Sequence, residues 1–226
     1  KDFLYAGMEN TTTTVFSDAF VVDSIGFIDR NYVNVNAHEL AHQWFGNLVT
    51  EVSSEHHWLH EGFATYYALL AEKELFGDDY YYWKLYQSAE QLKSLSDEGK
   101  GEALTNPKAS SLTFYEKGAW ALHILRETVG DSIFKEAIKS YLETYKYENA
   151  TIDNFIIIVE DISGIDLTSF KKNWLYQTAF KAQDALNSLK KSPFMQQFLE
   201  VSALRETALS SKKDLFFKYL SDPNIN

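Results

Sequence analysis

The chain has no cysteine, and only 3 prolines, 10 glycines and 2 methionines among 226 residues. Without cysteine there is no disulfide framework, no thiolate ligand for a metal and no cysteine nucleophile, while the cellular compartment stays open. The scarcity of proline and glycine leaves room for long helices. Positive charge is also short, with 21 Lys and Arg against 32 Asp and Glu, a formal charge of −11 and a pI near 5.0. That balance excludes the basic face that nucleic acid requires, so no nucleic-acid partner is expected. No apolar run approaches the roughly 18 residues of a membrane-spanning helix. The opening "KDFLYAGMEN" lacks the apolar core and cleavage site of a signal peptide. It begins without Met, directly in strand-like sequence, and is expected to be a piece of a longer protein whose missing part has room for a secretion signal.

What is present suits a folded core. Apolar residues make up 45% and aromatics 15%, enough for one large domain or one domain with part of another. Residues 1–36 are rich in β-branched and aromatic side chains ("TTTTVF", "AFVVDSIGF", "YVNV") and predict two or three short strands with turns near Asn10, Asp23 to Ser24 and Asp29 to Asn31. From residue 37 the spacing turns helical. "AHELAHQWF" predicts a helix stopping at Gly46, "HHWLHEGFATYYALLAEKELFG" one ending at Gly77, and "DDYYYWKLYQSAEQLKSL" a third. Residues 96–112 form the longest polar interruption, a loop of the length that often serves a site. Helices are predicted at 113–129, at 131–146 with Asp131 as N-cap, at 151–162 and at 168–179, and the tail from 183 is amphipathic again. The fold class is α+β and mostly helical: a small N-terminal mixed sheet followed by packed helices. Residues 1–182 (sheet 1–36, helical part 37–182) are assigned to one domain and 183–226 to the start of a further helical domain.

The chemistry concentrates in "NAHELAHQWFGN", residues 36–47. His38 and His42 are four residues apart, so on a helix their imidazoles share one face about a turn apart and can converge on one Zn²⁺. Glu39 projects about 100° away from His38 and can reach the open side of the metal as a general base for a water activated there. A surface helix with two solvated histidines has the same spacing. A catalytic zinc needs a third protein ligand, and Glu61 in "WLHEGFATYY" is the candidate, at the start of a second helix. An ordinary first-turn glutamate would also sit there. His56, His57 and His60 are rival ligands by composition, with Glu51 and Glu55 in the loop as further possibilities.

"HELAHQWFGN", then eighteen residues (43–60), then "EGFA" resemble the aminopeptidase N family of zinc metallopeptidases, within the gluzincins. "AGMEN" at 6–10 is similar to that family's exopeptidase motif, and "YEKGAW" at 115–120 to its catalytic-tyrosine segment. The four motifs fall in the family's order between residues 6 and 120, and the remainder adds only a helical texture. The resemblance implies a thermolysin-like catalytic domain that removes N-terminal residues from peptides. It implies one Zn²⁺ per chain held by His38, His42 and Glu61, with Glu39 as base and Tyr115 as hydrogen-bond donor to the tetrahedral intermediate. It further implies that Glu9 holds the free α-amino group of the substrate and that Gly7, Met8, Glu9 and Asn10 lie along an edge strand pairing with the peptide backbone. Without the resemblance, Glu9 reads as an exposed strand glutamate and Tyr115 as one of 14 tyrosines; Glu116 and Lys117 read as solvated helix residues.

Two departures stand out. Many relatives have an acidic residue where this chain has Ala68, so a carboxylate orienting a ligand imidazole must come from elsewhere. His60 replaces a more usual Asn. The family usually carries a β-rich domain upstream and a helical domain downstream, which are expected partners of this piece. Many bacterial relatives are exported, which leans the expected location that way. N-terminal residue preference and oligomeric state are not readable. The alternatives are a gluzincin endopeptidase, which has no use for a fixed carboxylate at Glu9, hydrolysis of a lipid epoxide, and a non-catalytic peptide-binding scaffold.

Overall fold

The computed structural model describes residues 3–28 and 31–220, of which residues 28, 31, 206–208 and 211–220 are described by their backbone alone. Helices carry the molecule: α1 (Asn31–Ala41), α2 (Phe63–Phe76), α3 (Asp78–Asp97), α4 (Gly118–Val129), α5 (Asp131–Tyr145), α6 (Ile152–Ser163), a single turn α7 (Thr168–Phe170), α8 (Ala182–Leu189) and α9 (Pro193–Leu220). The helix ends at Gly77, and the starts near 78, 152 and 168, fall where the spacing predicts. Thr151 caps α6 with a reciprocal Asn154 bond. Asp131 does not cap α5. Gly130 occupies that position, and Asp131 is the first-turn acid, paired with Arg126 and Lys135. No helix among the described residues is long and apolar enough to cross a membrane.

The strand expectation over residues 1–36 holds only in part. Strands β1 (Gly7–Met8) and β2 (Val15–Phe16) pair antiparallel, Gly7 opposite Phe16 and Met8 opposite Val15. The turn near Asn10 is present, its carbonyl accepting the Thr13 N–H at 3.0 Å. So is that at Asp23, whose Oδ1 accepts from the N–H groups of Ile25 and Gly26. "AFVVDSIGF" instead forms short 3₁₀ turns at Asp18–Phe20 and Gly26–Ile28, and "YVNV" lies inside α1, which starts at Asn31 rather than 37. Packing overrides the β-branched propensity here: α1 lies against α2, and the Asn34 amide donates to the Glu72 carboxylate at 2.9 Å. The turn expected at Asp29 to Asn31 falls on residues 29–30, outside the described residues.

A second ladder was not predicted. Strand β3 (Val49–Glu51) pairs in parallel with β4 (Glu148–Ala150), closing the segment after the zinc-motif helix against residues about a hundred positions away. The core is rich in aromatic side chains. Trp58, Phe63 and Tyr141 meet Phe155 edge-on at 6.0, 5.1 and 5.3 Å, all of them buried, in the geometry aromatic quadrupoles favour. Lys117 is also buried, contrary to its reading as a solvated helix residue. Its Nζ donates to the carbonyls of Glu102, Gln177 and Thr178 at 2.5, 2.6 and 3.2 Å. It thereby pins the polar loop and the segment after 176 to the same helix. Within that loop the Glu102 carboxylate accepts from Ser110 N and Thr113 Oγ1, both at 2.8 Å, and so fixes the start of the turn that carries Tyr115.

Candidate metal centre

The structure brings His38, His42 and Glu61 together. The Nε2 atoms of the two histidines lie 3.0 Å apart, and Glu61 Oε2 is 3.1 Å from the first and 3.4 Å from the second. A tetrahedral cation bound at about 2.0–2.1 Å spaces its ligand atoms by about 3.3 Å, which these edges bracket. The His42 ring is set for ligation by its other nitrogen. Nδ1–H donates to the Phe45 carbonyl at 2.9 Å, leaving the Nε2 lone pair towards the cluster. His38 Nδ1 faces Thr65 Oγ1 at 3.5 Å. Thr65 comes one helical turn after Glu61 and so shares its face. A hydroxyl, not a carboxylate, therefore faces this imidazole. Burial alone would raise the Glu61 carboxyl, but the neighbouring His38 and His42 hold it well below the usual carboxylate range. An ionised carboxylate beside two imidazoles is a donor set suited to zinc.

Two wide helical turns aim the outer residues. Glu61 lies on a π-helical turn, Trp58–Gly62, and Tyr115 on another, Thr113–Lys117. Such turns insert a residue into the helix and are frequent at functional sites. The two turns touch through their glycines. A Cβ on Gly118 would lie 2.8 Å from Gly62 Cα, so only glycine at both positions allows this approach. Trp58 locks the crossing by donating Nε1–H to the Gly118 carbonyl at 3.0 Å. Tyr115 then stacks on the His38 ring (5.3 Å, 10°), close to the charge of Glu61. Burial and the Glu61 charge push its phenol well above the ordinary range, keeping it a proton donor.

Glu39, Glu9 and the metal-ligand candidates line one cavity of about 750 Å³. Burial, reinforced by the charges of Glu9 and Glu61 and opposed by His42, pushes the Glu39 carboxyl up to about 7. Glu9, Glu39 and His42 present oxygen or nitrogen atoms within 4.8 Å of one another. Gly7 crosses directly over Glu39, where an added Cβ would overlap the carboxylate. Met8 lines the cavity; Asn10 does not, and is exposed in the turn beyond β1.

The rival ligands form a neighbouring cluster, touching the first where His57 Nε2 lies 3.7 Å from Glu61 Oε1. Glu51, His57 and His60 also place three ligand atoms within 4.8 Å. His60 Nε2, however, accepts the backbone N–H of Glu51 at 2.8 Å, so the proton of the neutral ring sits on Nδ1, facing the Glu51 carboxylate at 3.6 Å. His57 Nδ1 lies 3.0 Å from the same carboxylate, which raises the His57 pKa against the effect of burial. These groups satisfy one another. His56 Nδ1 accepts the Ile152 N–H at 3.3 Å, and Glu55 is exposed.

Sequence reading passed over Thr65, Gln43, Asn47 and the Gly62–Gly118 crossing. Thr65 was discoverable, being one turn beyond Glu61. The crossing had a weaker signal in the glycine of each motif, and Gln43 and Asn47 had none beyond lying next to the zinc pattern.

Fold and donor set together define a candidate metal centre of the HExxH type. Residues 1–174 match the Peptidase family M1 domain, and the chain belongs to that family. It is 33% identical over 192 residues to Probable aminopeptidase 2 of Sulfurisphaera tokodaii, covering 79% of this chain and 24% of that protein. To Aminopeptidase M1 of Arabidopsis thaliana it is 30% identical over 215 residues, covering 86% and 24%. This chain therefore spans about a quarter of these relatives. Among solved structures it resembles the M1 zinc metallopeptidase from Deinococcus radiodurans, with TM-score 0.64 and 26% identity, covering 79% of this chain and 38% of that one. Zinc is the metal that the family and this neighbour indicate.

Proposed function

We propose that this chain is the catalytic domain of a zinc-dependent aminopeptidase, hydrolysing the first peptide bond of peptides with a free N-terminus. Residues 1–182 form the metallopeptidase unit in this reading, and 183–226 are the start of a further helical domain. His38 Nε2, His42 Nε2 and Glu61 Oε2 hold one zinc. When bound, zinc supplies a Lewis acid that polarises the scissile carbonyl and lowers the pKa of the attacking water. Glu39 takes the proton of that water and passes it to the leaving amine, a role supported by its place beside His42 in the cavity that the ligand candidates line. Tyr115 donates its phenol hydrogen to the oxyanion that develops on the carbonyl. Glu9 binds the substrate ammonium by a charge-assisted hydrogen bond. The short β1 edge offers its backbone to the peptide main chain, which is held without regard to side chains.

The observation that carries this reading is the place of Glu9, beside Glu39 and His42 in the same cavity. A carboxylate there admits a free amino terminus one residue from the cut. The test compares L-leucine p-nitroanilide, which has a free amine, with a casein-derived peptide blocked at its N-terminus. Glu9→Ala is expected to lower kcat/KM on the free amine by about 10- to 100-fold, the cost of a lost charge-assisted hydrogen bond, and to leave the blocked peptide unaffected. Equal losses on both substrates would support the endopeptidase instead.

A further inference from the structure

We infer that Gln43 and Asn47 are positioning residues that fix the spacing between Glu9 and His42, and with it the cut at the first peptide bond. This rests on the aminopeptidase reading above. Strand β1 ends at Met8, so the ladder with β2 does not hold Glu9. Its carbonyl is held instead by two side-chain amides, Gln43 Nε2 at 3.1 Å and Asn47 Nδ2 at 2.6 Å. Both amides belong to the turn that follows α1. The backbone N–H of Asn47 also donates to the His42 carbonyl at 2.9 Å. A continuous path therefore runs from the His42 backbone through Asn47 to the Glu9 backbone, two hydrogen bonds long.

The local chain makes this path possible. Gly46 has φ 137°, and a Cβ there would press on the His42 carbonyl at 3.3 Å. Glycine lets the turn bring Asn47 back under α1. Neither Gln43 nor Asn47 lines the cavity. They touch no substrate and act through Glu9. Both must present N–H, because the Glu9 carbonyl is acceptor only. Asn47→Asp keeps the shape and sets an acceptor against an acceptor.

The test uses the full-length zinc-loaded protein with L-leucine p-nitroanilide and its N-acetyl derivative. Asn47→Asp and Gln43→Ala should each raise KM for the free amine about fivefold, and the double variant more, with kcat little changed and one zinc retained per chain. About fivefold corresponds to one ordinary hydrogen bond. Unchanged KM in the variants would overturn the inference while the wild type still discriminates between the two substrates. Loss of zinc or of the folded state in Asn47→Asp would also overturn it, making the contact structural only. A wild type that cleaves both substrates alike would remove the aminopeptidase reading and this inference together.

Discussion

Two histidine–glutamate triads lie side by side in this molecule and differ in one respect. His38, His42 and Glu61 are spaced at 3.0–3.4 Å, and Glu51 stands 3.0 Å from His57 and 3.6 Å from His60. By composition and distance either is a candidate metal site. The ring nitrogens separate them. In the first triad the protein occupies His42 Nδ1 through the Phe45 carbonyl and turns Nε2 towards the cluster. In the second, a backbone N–H occupies His60 Nε2, and the protonated nitrogen meets a carboxylate. The hydrogen bond made by the second nitrogen decides whether an imidazole is a ligand or a clasp.

The largest effect expected from this contrast is on metal binding. His42→Ala should lose stoichiometric zinc, measured by metal analysis after dialysis, and with it all hydrolysis. A third histidine sharpens the comparison. His123 has both nitrogens engaged, Nδ1 with Tyr81 at 2.9 Å and Nε2 with Ser188 at 2.7 Å, and burial lowers its pKa to about 4. Unfolding returns it to about 6.5, so the unfolded chain binds more protons between those values. The stability contributed by neutral His123 is therefore full above pH 6.5 and is lost as pH falls through about 4, a change of about 3 kcal/mol over the window. Urea denaturation at stepped pH should show that slope in the wild type and a flatter one in His123→Gln. A smaller effect is expected at Thr65. Thr65→Val removes the hydroxyl facing His38 Nδ1 and should weaken zinc affinity by about tenfold in a chelator competition, the low end for a residue that orients a ligand.

Much of this was legible in the residues. The interval of four between His38 and His42 requires one helix face, and the polar stretches and glycines that break the periodicity fall at the ends of α2 and α3. Parts resting on contacts distant in sequence were not legible. "YVNV" reads as strand because Val33 and Val35 are β-branched, and only packing against α2 makes it helix. The β3–β4 ladder joins segments whose pairing nothing local announces. Lys117 looks like a solvated lysine until three carbonyls from separate segments converge on it. The Trp58–Gly62 and Thr113–Lys117 turns meet at a glycine-to-glycine approach that each motif shows only half of.

The most direct test is the zinc stoichiometry of the His57→Ala, His60→Ala double variant beside that of His42→Ala. One zinc per chain in the double variant, equal to the wild type, and none in His42→Ala is the expected result. Zinc lost from the double variant, or retained in His42→Ala, would place the metal in the wrong triad.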